Sequence, residues 1–84
     1  MTTFELGSIL REMYENAMDS NQVAMIHLFG ILYADEIDRA NATNSEVIRA
    51  AGINSSYQTE LSKGRKLSKF VYVKPEYLAK YKRK

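Results

Sequence analysis

Hydrophobic positions in the first half of the chain recur at helical spacing and predict two consecutive helices. The first is expected over Phe4 to Met18, where apolar side chains fall three and four residues apart. Residues 19–21 are polar and break the pattern before a second helix begins, from about Gln22 to Asn41. This second helix is apolar on nearly all sides between Val23 and Ala34, so we expect it at the centre of the core.

A capping box opens the second half of the chain. Thr43 and Glu46 have its spacing, which predicts a short helix over Asn44–Ala51. Gly52 follows directly, at the position where a left-handed backbone conformation ends many helices.

Three further elements are predicted after this glycine. A helix capped by Asn54 or Ser55 is expected to end near Leu67. The β-branched and aromatic run Phe70–Val73 predicts a short strand. Pro75 then stops the strand and suits the first position of a final short helix.

Together these elements predict one small, mainly α-helical domain over residues 1–84, with a short C-terminal strand. Residues 1–41 would form a helical hairpin scaffold, and residues 43–67 two helices around a tight turn. Residues 68–84 would supply the strand and a basic helix or tail, of which residues 80–84 are expected to fray. A chain of this length buries one modest core.

Charge is divided unevenly between the two halves of the chain. The net charge is +2, but residues 1–38 carry one cation and seven acids, for a net charge of −6. Residues 39–84 carry eleven cations and three acids, for a net charge of +8. Such a division indicates a surface that meets a polyanion, with a mixed solvated surface as the alternative.

The sequence contains no motif that is typical of an enzyme. The chain has no cysteine and one histidine, which excludes a disulfide framework, a thiolate metal site and a cysteine nucleophile. It also lacks a glycine-rich phosphate loop and a Gly-x-Ser-x-Gly turn. We therefore expect no enzyme activity, metal or cofactor, and interpret His27 as a hydrogen-bonded core or interface residue.

The apolar stretch is shorter than the roughly 20 residues that span a bilayer. The first residues also lack the positive charges of a signal peptide. We expect no membrane association and a cytoplasmic location.

Residues 43–67 resemble a helix-turn-helix, in which two helices meet at a steep angle through a tight turn that often holds glycine. Val47 and Ile48, followed by Ala51-Gly52-Ile53, are similar to the hydrophobic hinge of that superfamily. The strand predicted after the second helix is similar to the start of a wing in winged-helix proteins.

The register of the second helix stays open at this point. The inward-facing residue that the superfamily places midway along the helix falls near Gln58, so Tyr57 and Leu61 would have to serve instead. Tyr72, Tyr77 and Tyr81 join Tyr57 in alternating with cations. We interpret these tyrosines as covering the core, with stacking on single-stranded bases as the alternative.

The resemblance implies sequence-specific binding of double-stranded DNA by a small bacterial or phage transcription regulator, with the second helix in the major groove. Hydroxyl and amide side chains would contact bases, and cations further along would contact phosphates. The residues expected to contact bases are Ser55, Ser56, Gln58, Thr59 and Ser62. The residues expected to contact phosphates are Lys63, Arg65, Lys66, Lys69 and Lys74.

The apolar second helix leaves the oligomeric state open. One small chain has little material to cover such a helix, so we expect a homodimer built partly on Met25, Leu28, Phe29 and Leu32. Burial inside a monomer is the competing interpretation. The small residues Gly30 and Ala34, four apart on this helix, would let another helix approach closely; the alternative is that Gly30 only costs about 1 kcal/mol relative to alanine. The alternative function is a non-catalytic protein-interaction module or small subunit that keeps the helix-turn-helix shape without binding DNA.

Overall fold

A computed structural model describes residues 1–82, and within them the chain forms helices and no strand. The α-helices are α1 (Thr3–Glu15), α2 (Gln22–Arg39), α3 (Asn44–Ala51), α4 (Gln58–Leu67) and α5 (Pro75–Tyr81), and a 3₁₀ turn (Ser55–Tyr57) precedes α4. The prediction of a mainly helical fold is confirmed.

Helix ends follow local side-chain chemistry closely. The Thr43 N–H donates to Glu46 Oε1 at 2.8 Å, and the Glu46 N–H donates to Thr43 Oγ1 at 3.1 Å, so the predicted capping box forms. A second capping box, between Thr2 and Glu5, starts α1. Gly52 ends α3 with φ of +71°, a left-handed conformation that is strained for residues with a Cβ.

The connection between α1 and α2 starts earlier than predicted. α1 ends at Glu15 rather than Met18, and the chain then turns through Asp19 and Ser20, whose φ angles are +55° and +60°. Asn21 precedes α2, but its side chain makes no capping hydrogen bond.

Four helices supply one hydrophobic core. α1 packs on α2 and α3, and α4 packs chiefly on α2. α1 and α3 approach closely at Gly7, where an added Cβ would lie 2.5 Å from the Cβ of Ala50 and 2.8 Å from the Ala51 nitrogen. The fully buried side chains of this core include Leu6, Leu10, Ile26, Phe29, Tyr33, Ile37, Val47, Ile48 and Leu61.

Two residues assigned to a dimer surface lie in this core instead. Phe29 is fully buried and its ring stacks on Tyr33 with the ring centroids 5.1 Å apart, while Leu32 is 7% exposed. The chain covers α2 with its own helices, so Phe29 and Leu32 were wrong as interface residues. Met25 and Leu28 are half-buried at the edge of the core, and the homodimer stays a prediction.

The strand predicted over Phe70–Val73 is also wrong. The chain continues past α4 in turns, with the Phe70 N–H donating to the Leu67 carbonyl at 2.9 Å, and residues 71–74 are irregular. A strand needs a partner edge for its backbone hydrogen bonds, and the rest of residues 1–82 is helix and connection. The predicted wing does not form in this part of the chain.

The end of the described chain is tied to a break in α2. Tyr33 departs from helical geometry, with φ of −115° and ψ of 15°. The neighbouring Leu32 carbonyl accepts a hydrogen bond from Lys82 Nζ at 2.5 Å, and the buried Tyr33 hydroxyl donates to the Tyr81 carbonyl at 2.9 Å. Side-chain insertion of this kind is a common cause of helix kinks.

Lys82 also neutralises a largely buried acid. Its Nζ lies 2.6 Å from Glu36 Oε2. Burial is the largest single influence on the pKa of Glu36 and raises it, but the hydrogen bond from Lys82, a backbone hydrogen bond and the charges of Lys82 and Arg39 together outweigh burial, so the pKa lies below its usual value. The chain is therefore anchored at Lys82 and not frayed there, while residues 83 and 84 of the predicted tail lie outside the described residues.

Candidate nucleic-acid interface

The turn between α3 and α4 is set by two local features. After Gly52 the half-buried Ile53 packs against the core, and the Asn54 side chain accepts the Ser56 N–H at 2.9 Å. The chain then makes one 3₁₀ turn before α4. Asn54 is thus the cap, and the resulting helix–turn–helix presents α4 at the surface.

The inner side of α4 packs directly against the backbone of α2. Leu61 is fully buried, and Gly64 faces His27 so closely that an added Cβ would lie 2.4 Å from the His27 carbonyl oxygen. On the opposite helix, a Cβ at Gly30 would lie 2.9 Å from the Arg65 nitrogen. The prediction that Gly30 permits close helix packing is confirmed, and the partner is α4 of the same chain.

Tyr57 and Leu61 take the inward positions of the second helix, as the sequence required. Tyr57 packs against the core beside Tyr14, with their rings 5.6 Å apart and their hydroxyls 3.4 Å apart. Gln58 is half-exposed and lines a shallow groove of about 210 Å³ on the side of α4 nearest α3. This fixes the register that the sequence left open.

Two polar contacts hold α4 in place. His27 Nε2 lies 2.8 Å from Glu60 Oε1, and this hydrogen bond is the main reason that the pKa of Glu60 is below its usual value. Arg65 donates to Asn44 Oδ1 at 2.7 Å and to Asp38 Oδ1 at 2.5 Å. His27 is a hydrogen-bonded histidine at a helix–helix contact, as interpreted from the sequence.

Arg65 is the predicted site residue that the structure assigns differently. Its guanidinium links α4 to the end of α2 and to the start of α3, and its side chain is 24% exposed. Two of its five N–H donors are taken by these internal acceptors, which fix the direction in which the guanidinium points. Arg65 therefore supports the geometry of the two helices rather than extending the outer surface.

The outer side of α4 carries most of the other predicted residues. Ser55, Ser56 and Thr59 are exposed at its N-terminal end, and Ser62 is half-exposed further along. The exposed lysines are Lys63, Lys66, Lys69 and Lys74. We call the exposed and half-exposed side chains Ser55, Ser56, Thr59, Ser62, Lys63 and Lys66 the outer face of α4.

Ion pairing leaves most of these lysines available. Lys63 Nζ lies 3.5 Å from Glu60, whereas Lys66, Lys69 and Lys74 form no salt bridge within residues 1–82. Ser62, Lys66 and Lys69 also line a groove of about 350 Å³ that contains Asp35 and Asp38. The lysine-bearing surface thus has acidic residues along one edge.

Sequence reasoning missed an exposed apolar strip at the end of α4. Phe70 is 81% exposed and Tyr72 is fully exposed, so Tyr72 does not cover the core as expected. The sequence offers no second strand to pair with Phe70–Val73, and a lone strand could not have buried these side chains.

Comparison with known protein families matches residues 2–74 to the HTH-like domain family. The match covers well over half of the chain, and the chain belongs to this family. No curated protein and no solved structure matches it.

Residues 1–82 lack the features of two other kinds of site. No helix there combines the length and apolar character needed to cross a membrane. No group of three or more His, Asp or Glu side chains is placed to hold a metal ion.

Proposed function

We propose that the protein is a sequence-specific binder of double-stranded DNA that acts as a small transcription regulator in the cytoplasm. The carrying observation is the contrast across α4, whose inner side is fixed against α2 while its outer face is hydroxyl-rich and cationic. Membership of the HTH-like family supports DNA binding as the general activity. The N-terminal end of α4 would enter the major groove.

Rigid packing makes α4 suitable for reading bases. Base discrimination requires donors and acceptors held at fixed positions. The close contact at Gly64 and the hydrogen bonds of Glu60 and Arg65 hold the helix against rotation and sliding. In this proposal Ser55, Ser56 and Thr59 reach base edges, and Lys63, Lys66 and Lys69 contact phosphates.

A titration tests the general activity. Fluorescence anisotropy with a labelled mixed-sequence duplex at about 50 mM salt should show binding that weakens steeply as salt rises, because phosphate contacts release counterions. Lys66→Glu should weaken binding, and the matched Lys80→Glu should leave it nearly unchanged. Lys80 lies by the α1–α2 turn, in a groove with Asn16 and Met18. Undetectable binding by the wild-type protein would contradict the proposal.

A selection experiment tests the base-reading edge. After enrichment of a preferred site from random duplexes, Thr59→Ala should reduce discrimination between sites more than Gln58→Ala does. Thr59 points outward, whereas Gln58 borders the groove next to α3. One good bidentate base contact is worth about 1–3 kcal/mol of discrimination, so loss of a single hydroxyl contact should fall at or below that range. A larger effect of Gln58→Ala would move the reading edge toward α3.

A separate apolar surface, formed by the α1–α2 connection, α2 and α5, favours a second role in protein association. Met18 is 75% exposed, and it borders a groove of about 370 Å³ with Met25, Leu28 and Tyr77. We propose that a second copy of this chain docks in this groove. Light scattering on the purified protein, compared with Met18→Glu, tests the homodimer: a mass that equals the monomer in both would contradict it.

A further inference from the structure

An apolar strip continues the outer face of α4 beyond its last turn. Leu67 is 42% exposed, Val71 41%, Phe70 81% and Tyr72 fully exposed. The packing of residues 1–82 gives no reason for a phenylalanine and a tyrosine to lie in water at this place. Lys66 lines a groove with Leu67 and Phe70, the exposed Lys69 and Lys74 are close to the strip in sequence, and none of the three forms a salt bridge within residues 1–82.

A shallow groove lies at the start of the strip. Its volume is about 380 Å³, and its walls are Leu67, Phe70, the His27 ring and the side chains of Lys63 and Lys66. Long lysine side chains contribute apolar stems and keep their charged ends in water. The groove therefore combines an apolar floor with a cationic rim.

We propose that Phe70, supported by Leu67, stacks on a nucleobase of the DNA that α4 binds. This inference rests on the proposed function. A nucleotide unit presents a flat aromatic face beside an anionic phosphate, which complements an exposed aromatic ring among lysines. Base–aromatic stacking of this kind tolerates any sequence, because every base has a π face.

Position along the chain agrees with this role. Thr59, Lys63, Lys66 and Phe70 are four, three and four residues apart, and the turns after α4 keep Phe70 close to the helix end through its hydrogen bond to Leu67. A surface that starts in the major groove and runs along the backbone would bring Phe70 to the adjoining base step. Apolar side chains that proteins insert between base steps from the minor groove partly unstack the bases and kink the duplex.

The absence of tryptophan from the chain allows a direct test. Phe70→Trp places a single indole in the strip, and its emission should be quenched on saturation with DNA if the ring stacks on a base. Phe4→Trp is the matched control, because Phe4 is 76% exposed but lies on α1 in the acidic half. Its emission should stay unchanged at saturation.

The DNA affinity of Phe70→Ala and the emission of a base analogue supply a second test. Phe70→Ala should weaken DNA binding about 5- to 100-fold, the range expected for loss of one base–aromatic stack. A duplex carrying 2-aminopurine near the selected site should brighten on binding the wild-type protein and not on saturation with Phe70→Ala. Circular dichroism of both proteins should be the same, since Phe70 lies outside the core.

The outcomes separate this inference from the proposed function. Suppose that the wild-type protein binds DNA, that the emission of Phe70→Trp stays unchanged like that of Phe4→Trp, and that Phe70→Ala binds as tightly as the wild type. The stacking role is then overturned and the proposed function stands. If the wild-type protein binds neither duplex nor single-stranded DNA, both are overturned. If Phe70→Ala changes only the molecular mass in solution, the strip is an interface between copies and the stacking role is overturned.

Discussion

Both sides of α4 carry polar and charged residues, but these residues do different things on each side. Arg65 and Lys66 are adjacent cations, but Arg65 is bound to Asn44 and Asp38, while Lys66 points into solvent. Glu60 bonds His27, and the neighbouring Thr59 is exposed. The role of a polar residue here is decided by the side of the helix on which it falls, and not by its type.

The inner side of α4 also tolerates substitution less than the outer face does. On the inner side the chain meets the α2 backbone at Gly64, where a methyl group has no space. On the outer face, side chains end in water. Substitutions on the inner side should therefore cost stability, and substitutions on the outer face should change binding alone.

The largest expected difference compares two leucines of α4. Leu61→Ala should lower the free energy of unfolding by about 2 to 5 kcal/mol, because it opens a cavity in the core. Leu67→Ala should change it by about 0.5 kcal/mol or less, because that side chain is already 42% exposed. Urea denaturation followed by circular dichroism measures both. Equal losses would mean that α4 has no inner side in solution.

A smaller loss of stability is expected where α4 touches α2. Gly64→Ala should destabilise the protein by about 1 to 3 kcal/mol, even though alanine favours helix, because the new Cβ meets a backbone carbonyl that no side-chain rotation can move. Ser62→Ala is the control on the opposite side and should be neutral or slightly stabilising. Thermal denaturation distinguishes them, and a Gly64→Ala protein as stable as the wild type would contradict the close crossing.

The two adjacent cations should separate stability from binding. Arg65→Ala should lower stability by about 1 kcal/mol, since its hydrogen bonds are partly solvent-screened, and leave the salt dependence of DNA binding nearly unchanged. Lys66→Ala should leave stability unchanged and reduce the slope of log affinity against log salt by about one. Paired denaturation and anisotropy titrations measure this. An equal loss of affinity in both variants would return Arg65 to the phosphate-contacting set.

The smallest effect is a pH dependence at the His27–Glu60 contact. Because the pKa of Glu60 is lowered in the folded protein, its contribution to stability is present above the usual carboxyl pKa of about 4.3 and is lost as pH falls through the lower, folded value. The stability advantage of the wild type over Glu60→Gln should therefore shrink on acidification. Denaturation curves between about pH 3 and pH 7 test it. A constant difference across that window would exclude the effect.

Local signals in the sequence were sufficient to predict which segments form helices. The capping residues Thr43 and Gly52 act on backbone groups within three or four residues of themselves, so their effect is readable without knowing the fold. Pro75 likewise starts α5 as predicted. Strand formation at Phe70–Val73 was mispredicted because a strand depends on a partner far away in the chain, and none of residues 1–82 provides one.

The candidate site was predictable as a surface but not as a set of contacts. The helix-turn-helix and its polar second helix followed from the sequence, and the exposed hydroxyls and lysines agree with that part. The inward turn of Arg65 and the burial of Phe29 depend on which helix covers α2. That choice is made by long-range packing.

By itself the amino-acid sequence determined which segments form helices, the caps of α3, the division of charge and the helix-turn-helix segment, because each of these depends on neighbours in the chain. Tertiary structure alone decided that α4 crosses α2 at Gly30 and Gly64, which cation serves the fold and which faces solvent, and that Phe70 remains uncovered. The helix crossing and the role of Arg65 depend on residues 21 or more positions apart, whose meeting is set by the packing of the whole core.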